Sequence, residues 1–173
     1  MAILKIARMG HPVLSQVANP VEDPTDPEIH RLVADMVDTM FDAPGVGLAA
    51  PQVHVPLRIM VFHVPAGRDG DEESTACVGV TALINPEFDP IGEDTNDSFE
   101  GCLSLPGMTG KVTRFNEIRY RGLGLDGAMI EREASGFHAR VFQHEYDHLN
   151  GVLYPMQMEN LTTFGFVDEM KQG

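Results

Sequence analysis

Two histidines four positions apart, His144 and His148, with Glu145 beside the first, constrain this chain more than any other feature. Residues i and i+4 of an α-helix lie on one face, so both imidazoles aim at one point if Gln143–Gly151 is helical. That spacing suits a divalent metal with nitrogen ligands at about 2 Å, with Glu145 as the base acting on a water. The plain alternative is a pair of histidines on a solvated helix face. Two ligands do not hold a catalytic metal, so the rest of the chain has to supply a third.

At 173 residues the length fits one domain, spanning 1–173, large enough to bury about two-thirds of its unfolded surface. A formal charge of −14 argues against wrapping nucleic acid or lying on an anionic membrane, both of which need a basic patch. No run approaches the roughly 18 apolar residues of a membrane span, and the N-terminus lacks a signal-peptide core. Two cysteines, Cys77 and Cys102, make no disulfide framework, and ten methionines do not fit an oxidising compartment. The expectation is a protein of a reducing cytoplasm, with neither DNA nor membrane as a partner.

Taken in order, Ile3–Leu14 reads as an extended arm. Asp26 followed by Pro27 signals a helix start, and Ile29, Leu32, Val33, Met36, Val37, Met40 and Phe41 recur at helical spacing up to Ala43-Pro44-Gly45. His30 lies off that stripe and is expected to be merely solvated. In Gly45–Gln52, small residues at alternate positions mark a place where another backbone or a ligand comes close, although a tight turn explains them equally. Leu57–Val64 reads as a strand, Pro65–Thr75 as an acidic loop, and Val78–Ile84 as a second strand closing at Asn85-Pro86. Gly92–Ser98 reads as another acidic loop, leading to Glu100–Gly107. There Cys102, taken alone, is either an inert buried cysteine or a ligand. Glu117–Gly122 and Ala128–Glu133 form a hairpin through Leu125-Asp126-Gly127. Ser135 caps the last major helix and Gly151 stops it. The tail is expected to be strand or coil with a short helical turn. The coarse reading is α+β, antiparallel sheets around a central metal-binding helix.

Three segments together resemble peptide deformylase: G-φ-G-φ-A-A-x-Q at Gly45–Gln52, E-G-C-L-S at Glu100–Ser104, and Q-H-E-x-D-H-L-x-G at Gln143–Gly151. They stand in the family's order, and Gly10–Leu14 and the Asp126-Gly127 turn fit it too. The resemblance implies that Cys102, His144 and His148 bind one metal, usually Fe²⁺ in cells, with Zn²⁺, Ni²⁺ or Co²⁺ possible in purified protein. It implies removal of the formyl group from the formyl-methionine of new polypeptides, releasing formate. Glu145 would be the base, and the Gln52 amide and Leu103 N–H would be oxyanion donors. The peptide would add beside Gly45-Val46-Gly47, with its methionine in a pocket from Val46, Leu48 and Val141. Nascent formyl-methionyl chains, and transiently the ribosome, are the implied partners. Glu100, Gln143 and Asp147 are candidates to orient the ligands, with Arg114 pairing either Asp147 or Glu100. His11, His54, His63 and His138 match no motif and are read as structural or exposed.

Two rivals remain. An H-E-x-x-H zinc peptidase needs a third ligand downstream, yet no histidine follows His148, and Glu159 and Glu169 lie in no recognised context. A catalytically dead, metal-stabilised binding domain would want further cysteines, and only Cys77 is spare.

Overall fold

The computed structural model describes residues 2–65 and 78–170, so the acidic stretch at 67–75 and Cys77 lie outside the described residues. Helix α1 spans Pro27–Asp42. Asp26 accepts from the Glu28 N–H at 2.8 Å, and Pro27 opens the helix where its missing N–H costs nothing. Its stripe of Val33, Met36 and Met40 is buried.

Among the described residues, eight strands follow the expected antiparallel pattern: β1 (Gly47–Ala49), β2 (Ile59–Val64), β3 (Val78–Pro90), β4 (Thr95–Cys102), β5 (Leu105–Phe115), β6 (Glu117–Leu123), β7 (Met129–Ser135) and β8 (Gly165–Phe166). One sheet has the order β1-β2-β3-β6-β7 and the other β4-β5-β8. The run Ile59-Met60-Val61-Phe62 is wholly apolar because the large sheet is covered on both faces. Side chains alternate across a strand, so Ile59 and Val61 pack with α1 while Met60 and Phe62 pack on the other face.

That other face carries helix α2, Gly136–Leu149. Ala139, Phe142 and Leu149 meet Phe62, Ile118 and Tyr120, with the Phe142 and Tyr120 rings stacked at 4.5 Å. On its second side α2 meets β4 and β5. Gln143 donates to the Phe115 carbonyl at 2.9 Å and accepts from the Phe115 N–H at 3.1 Å, tying the helix to that edge. The helix that carries His144 and His148 is thus clamped between two sheets. Gly151 ends it in the left-handed region, at φ 72°, as expected, whereas Ser135 stands at the N-cap without a capping bond from its hydroxyl. A third cluster joins the N-terminal arm to β5 and the tail through Ala7, Val13, Leu14, Leu105, Val112 and Tyr154.

Several local readings need correction. β3 does not close at Asn85-Pro86. Asn85 turns left-handed and Pro86 has no N–H to donate, so the ladder to β6 is interrupted between Ile84 and Glu87 and then resumes. The expected loop at Gly92–Ser98 is already strand from Thr95, because β4 pairs residue for residue with a long β5. Pro12–Ser15 is a 3₁₀ turn inside the supposedly extended arm. His30 is more than solvated, since its Nε2 lies 2.9 Å from the Leu125 carbonyl.

Candidate active site and metal centre

Three elements converge. α2 supplies His144, Glu145 and His148; the end of β4 supplies Cys102; and a 3₁₀ turn at Ala50–Val53 supplies Gln52. The ligand atoms of Cys102, His144 and His148 all lie within 4.8 Å of one another, with Cys102 Sγ 3.3 Å from His148 Nε2. Burial would raise the Cys102 thiol, but His148 and His144 beside it pull it well below the ordinary thiol range. The cysteine therefore has thiolate character before any metal adds its own charge.

Glu100 orients this centre. Its Oε2 lies 2.8 Å from His144 Nδ1, which leaves the opposite ring nitrogen for a ligand. Arg114 donates to both Glu100 oxygens, at 2.9 and 3.0 Å, and to Asp147 at 2.6 Å, so the two alternative partners are held together. Arg140 adds a bond to Glu100 at 2.8 Å and reaches the Val112 and Asn96 carbonyls. Burial alone would raise the Glu100 carboxyl, yet His144 and Arg114 outweigh it and hold the group well below the usual carboxylate range. Arg140, one helical turn before His144, was not singled out from the sequence. Its place in the i−4 register before a ligand was the available signal.

Glu145 is buried, which pushes its carboxyl up to about 7, and its Oε2 has no hydrogen-bond partner among the described residues. An unmet carboxylate oxygen beside a thiolate and two imidazoles fits a divalent cation of borderline softness together with a water. Gln52 is fixed from one end: its Oε1 accepts from the Ala49 N–H at 2.9 Å, and its Nε2 is turned towards Ser104 Oγ at 3.2 Å and Cys102 Sγ at 3.5 Å. Gly47 packs directly over Glu145, where any Cβ would run into the carboxylate, and a Cβ at Gly45 would meet Leu103 Cδ1 at 2.9 Å. Small residues in Gly45–Gln52 thus answer to close approach of this active-site wall.

A cleft of about 620 Å³ opens over these groups. Gly45, Val46, Gly47, Gln52, Cys102, Leu103, Val141, His144 and Glu145 line it, whereas His148 lies beneath. Leu48 does not line the cleft. It is fully buried and packed with the α1 core, because strand alternation turns it to the opposite face from Gly47 and Ala49. Phe99, Met108, Phe137 and Val167 belong to the cleft and were not foreseen. His63 reaches the Gly45 carbonyl at 3.3 Å, His138 the Tyr120 hydroxyl at 3.2 Å, and His11 and His54 meet edge to face at 4.6 Å. All four stay outside the metal centre.

An H-E-x-x-H helix between antiparallel sheets, joined by a cysteine and an amide donor over a peptide-sized cleft, defines a class of metal-dependent amide hydrolases. The polypeptide deformylase family profile matches residues 3–164, and this chain belongs to that family. It is 51% identical over 168 residues to peptide deformylase 1 of Xanthomonas axonopodis pv. citri, covering 96% of each chain. The crystal structure of peptide deformylase from Ehrlichia chaffeensis superposes with a TM-score of 0.85 at 35% identity, over 94% of this chain and 91% of that one. A Met-Ala-Ser-bound class I type b peptide deformylase from Acinetobacter baumannii gives 0.82 at 32% identity, covering 91% and 99%. The chain is therefore an enzyme that removes the formyl group from the N-terminal formyl-methionine of newly made polypeptides, in a metal-dependent reaction.

Proposed function

We propose that Cys102, His144 and His148 hold the metal, that Glu145 moves the proton, and that Gln52 and the Leu103 N–H receive the oxyanion. The observation that carries this assignment is the convergence of Glu145, Gln52 and the three donor atoms on one cleft. A divalent ion held there supplies a Lewis acid, polarising the formyl oxygen and making a water more acidic. The Glu145 carboxylate takes a proton from the attacking water and returns it to the departing amine, so the formyl C–N bond breaks to give formate and a free N-terminus. Gln52, locked by Ala49, presents its amide hydrogens without reorganising as charge develops, a contribution of about 3 kcal/mol. The peptide lies as an added strand beside Gly45-Val46-Gly47, with the methionine side chain against Val46 and Val141. Met-Ala-Ser in the Acinetobacter relative is what this reaction leaves from formyl-Met-Ala-Ser. The catalytic unit is one domain spanning the chain.

The native metal in this reading is Fe²⁺, with Zn²⁺, Ni²⁺ or Co²⁺ able to replace it, and the compartment is the cytoplasm. Replacing Glu145 by Gln should leave metal content intact and reduce formate release from formyl-Met-Ala-Ser at least a thousandfold. Metal analysis of both proteins prepared without oxygen should find iron. Near-parental turnover by E145Q would overturn the base assignment, and cleavage of an unformylated peptide would favour the peptidase.

Ribosome contact is assigned to a second groove, across Leu103 and Pro106 from the cleft, where Lys5, Arg8, His11 and His54 gather with Asp42 as the acidic neighbour. A chain of charge −14 would meet the ribosome through such a local patch or through the mouth of the cleft, and this groove supplies the patch. Replacing Lys5 and Arg8 together by Glu should abolish salt-sensitive co-sedimentation with ribosomes while formate release from a short peptide persists. Unchanged co-sedimentation would refute the assignment.

A further inference from the structure

The wall of the cleft at Gly45-Val46-Gly47 leads into β1, which stands at the edge of its sheet beside β2. His63, near the end of β2, holds that wall from behind. Strand alternation puts its side chain on the α1 face with Ile59 and Val61, and its ring lies 5.0 Å from the Phe41 ring near the end of α1. From there it bonds two successive carbonyls. Its backbone N–H donates to the Val46 carbonyl at 2.9 Å, and its ring Nε2 reaches the Gly45 carbonyl at 3.3 Å. A carbonyl oxygen only accepts, so that ring nitrogen carries the proton. The Gly45 N–H is fixed separately, by the Met40 carbonyl at 2.9 Å. The peptide plane between Gly45 and Val46 is therefore the one whose direction rests on the imidazole.

We infer that His63 is a positioning residue for the substrate: it holds the Gly45 carbonyl so that the Val46 N–H faces the cleft and donates to a main-chain carbonyl of the peptide. This rests on the reading of the cleft as the peptide groove. A regular antiparallel pair would exchange two bonds, with the Val46 N–H returning to the His63 carbonyl. Between these two residues only the bond from His63 to Val46 is formed. In a trans peptide the C=O and the following N–H point in opposite directions. With the Gly45 carbonyl turned to His63, the Val46 N–H swings away from β2, to the edge where the peptide is added. Glycine at 45 lets such a plane reverse at little cost, because no Cβ restricts its backbone. Reversed, the plane would set a carbonyl against the substrate's own carbonyl. The imidazole, from behind the wall, selects the donating orientation.

The test measures KM and kcat for formyl-Met-Ala-Ser, read as formate release by the full chain loaded with metal, in the parent, His63→Phe and His63→Gln. Phe keeps a ring against Phe41 but has no donor, whereas Gln carries an N–H as many bonds from Cα as Nε2. H63F should raise KM about fivefold, the weight of one neutral hydrogen bond, with kcat within about a factor of two. Calorimetry should find Met-Ala-Ser bound more weakly by the same factor. H63Q should return both constants to within about twofold of the parent. Should H63F lack a cooperative urea transition, His63→Leu takes its place. A parental KM in the variant without a donor overturns the inference. So does an H63Q as impaired as H63F, since packing on Phe41 would then be all that His63 supplies. A fall in kcat alone overturns it too. No formate from the parent enzyme would instead overturn the reading of the cleft beneath it.

Discussion

Gln52 shows how a side chain acquires a role through the bond it cannot break. Its oxygen is engaged by the Ala49 N–H within the same 3₁₀ turn, so the amide nitrogen has one direction left, towards Cys102 and Ser104. Truncation to Ala should lower kcat by a factor of about 10² to 10³, leaving KM and metal content nearly unchanged, as expected for a donor felt in the transition state. Stopped formate assays paired with metal analysis check this; a loss in KM alone would mean that Gln52 only binds. At this scale the sequence was informative about chemistry and silent about direction. His144, Glu145 and His148 follow from helix periodicity, but periodicity says nothing of the cysteine, and only likeness to a family joined Cys102 to them. Leu48 failed because a three-residue strand sends its middle side chain to the face away from Gly47 and Ala49. Arg140 escaped notice because a lone arginine on a helix reads as solvated until the Glu100 carboxylate is seen beside it.

At the scale of elements, the helices were the readable part, since capping and the 3.6 period are local. Asp26-Pro27 and Gly151 bracket α1 and α2 as they stand in the fold. The strands were readable where alternation or a turn signalled them, as in β6 and β7, and misread where pairing decided. Thr95–Ser98 is strand only because β5 lies opposite, and β8 exists through contacts at Met108 and Thr109 more than fifty residues earlier. Gly151 makes the dependence concrete. Its φ is 72°, and a Cβ there would lie 2.8 Å from the Ser15 carbonyl carbon, so the end of α2 and the N-terminal 3₁₀ turn are packed backbone to backbone. Replacing Gly151 by Ala should cost about 2 kcal/mol or more, from the left-handed penalty plus displacement of Ser15 and Gln16. Urea unfolding at constant m-value measures it; a change below about 0.5 kcal/mol would show that the arm yields freely.

The whole molecule carries a charge of −14, yet its buried charges are arranged against that excess: Glu100 and Asp147 share Arg114, and Arg140 completes the cluster beneath the cleft. This network ties β4, β5 and α2 into one body and should set its acid limit. Burial acts to raise Glu100, but His144 and Arg114 hold its folded pKa well under the ordinary 4.5. The unfolded chain therefore binds the extra proton first as the pH falls, and the stability that Glu100 contributes is full above about 4.5 and lost below it. Glu145 has the opposite sign, since its folded pKa of about 7 exceeds its ordinary 4.5. It makes the metal-free protein gain stability as the pH falls from about 7 to 4.5, and it drops out below, where both states are protonated. Denaturant unfolding of metal-free protein should accordingly show a steep fall in stability below about pH 4.5, and the parent should gain on Glu145→Gln as the pH falls from 7 to about 4.5. Glu100→Gln should lower stability at pH 5.5 and flatten the fall below 4.5, while Glu145→Gln should remove only the Glu145 contribution between pH 7 and 4.5 and keep the fall. An acid limb of the same steepness in E100Q would place the acid sensitivity outside the cluster that holds His144 in place.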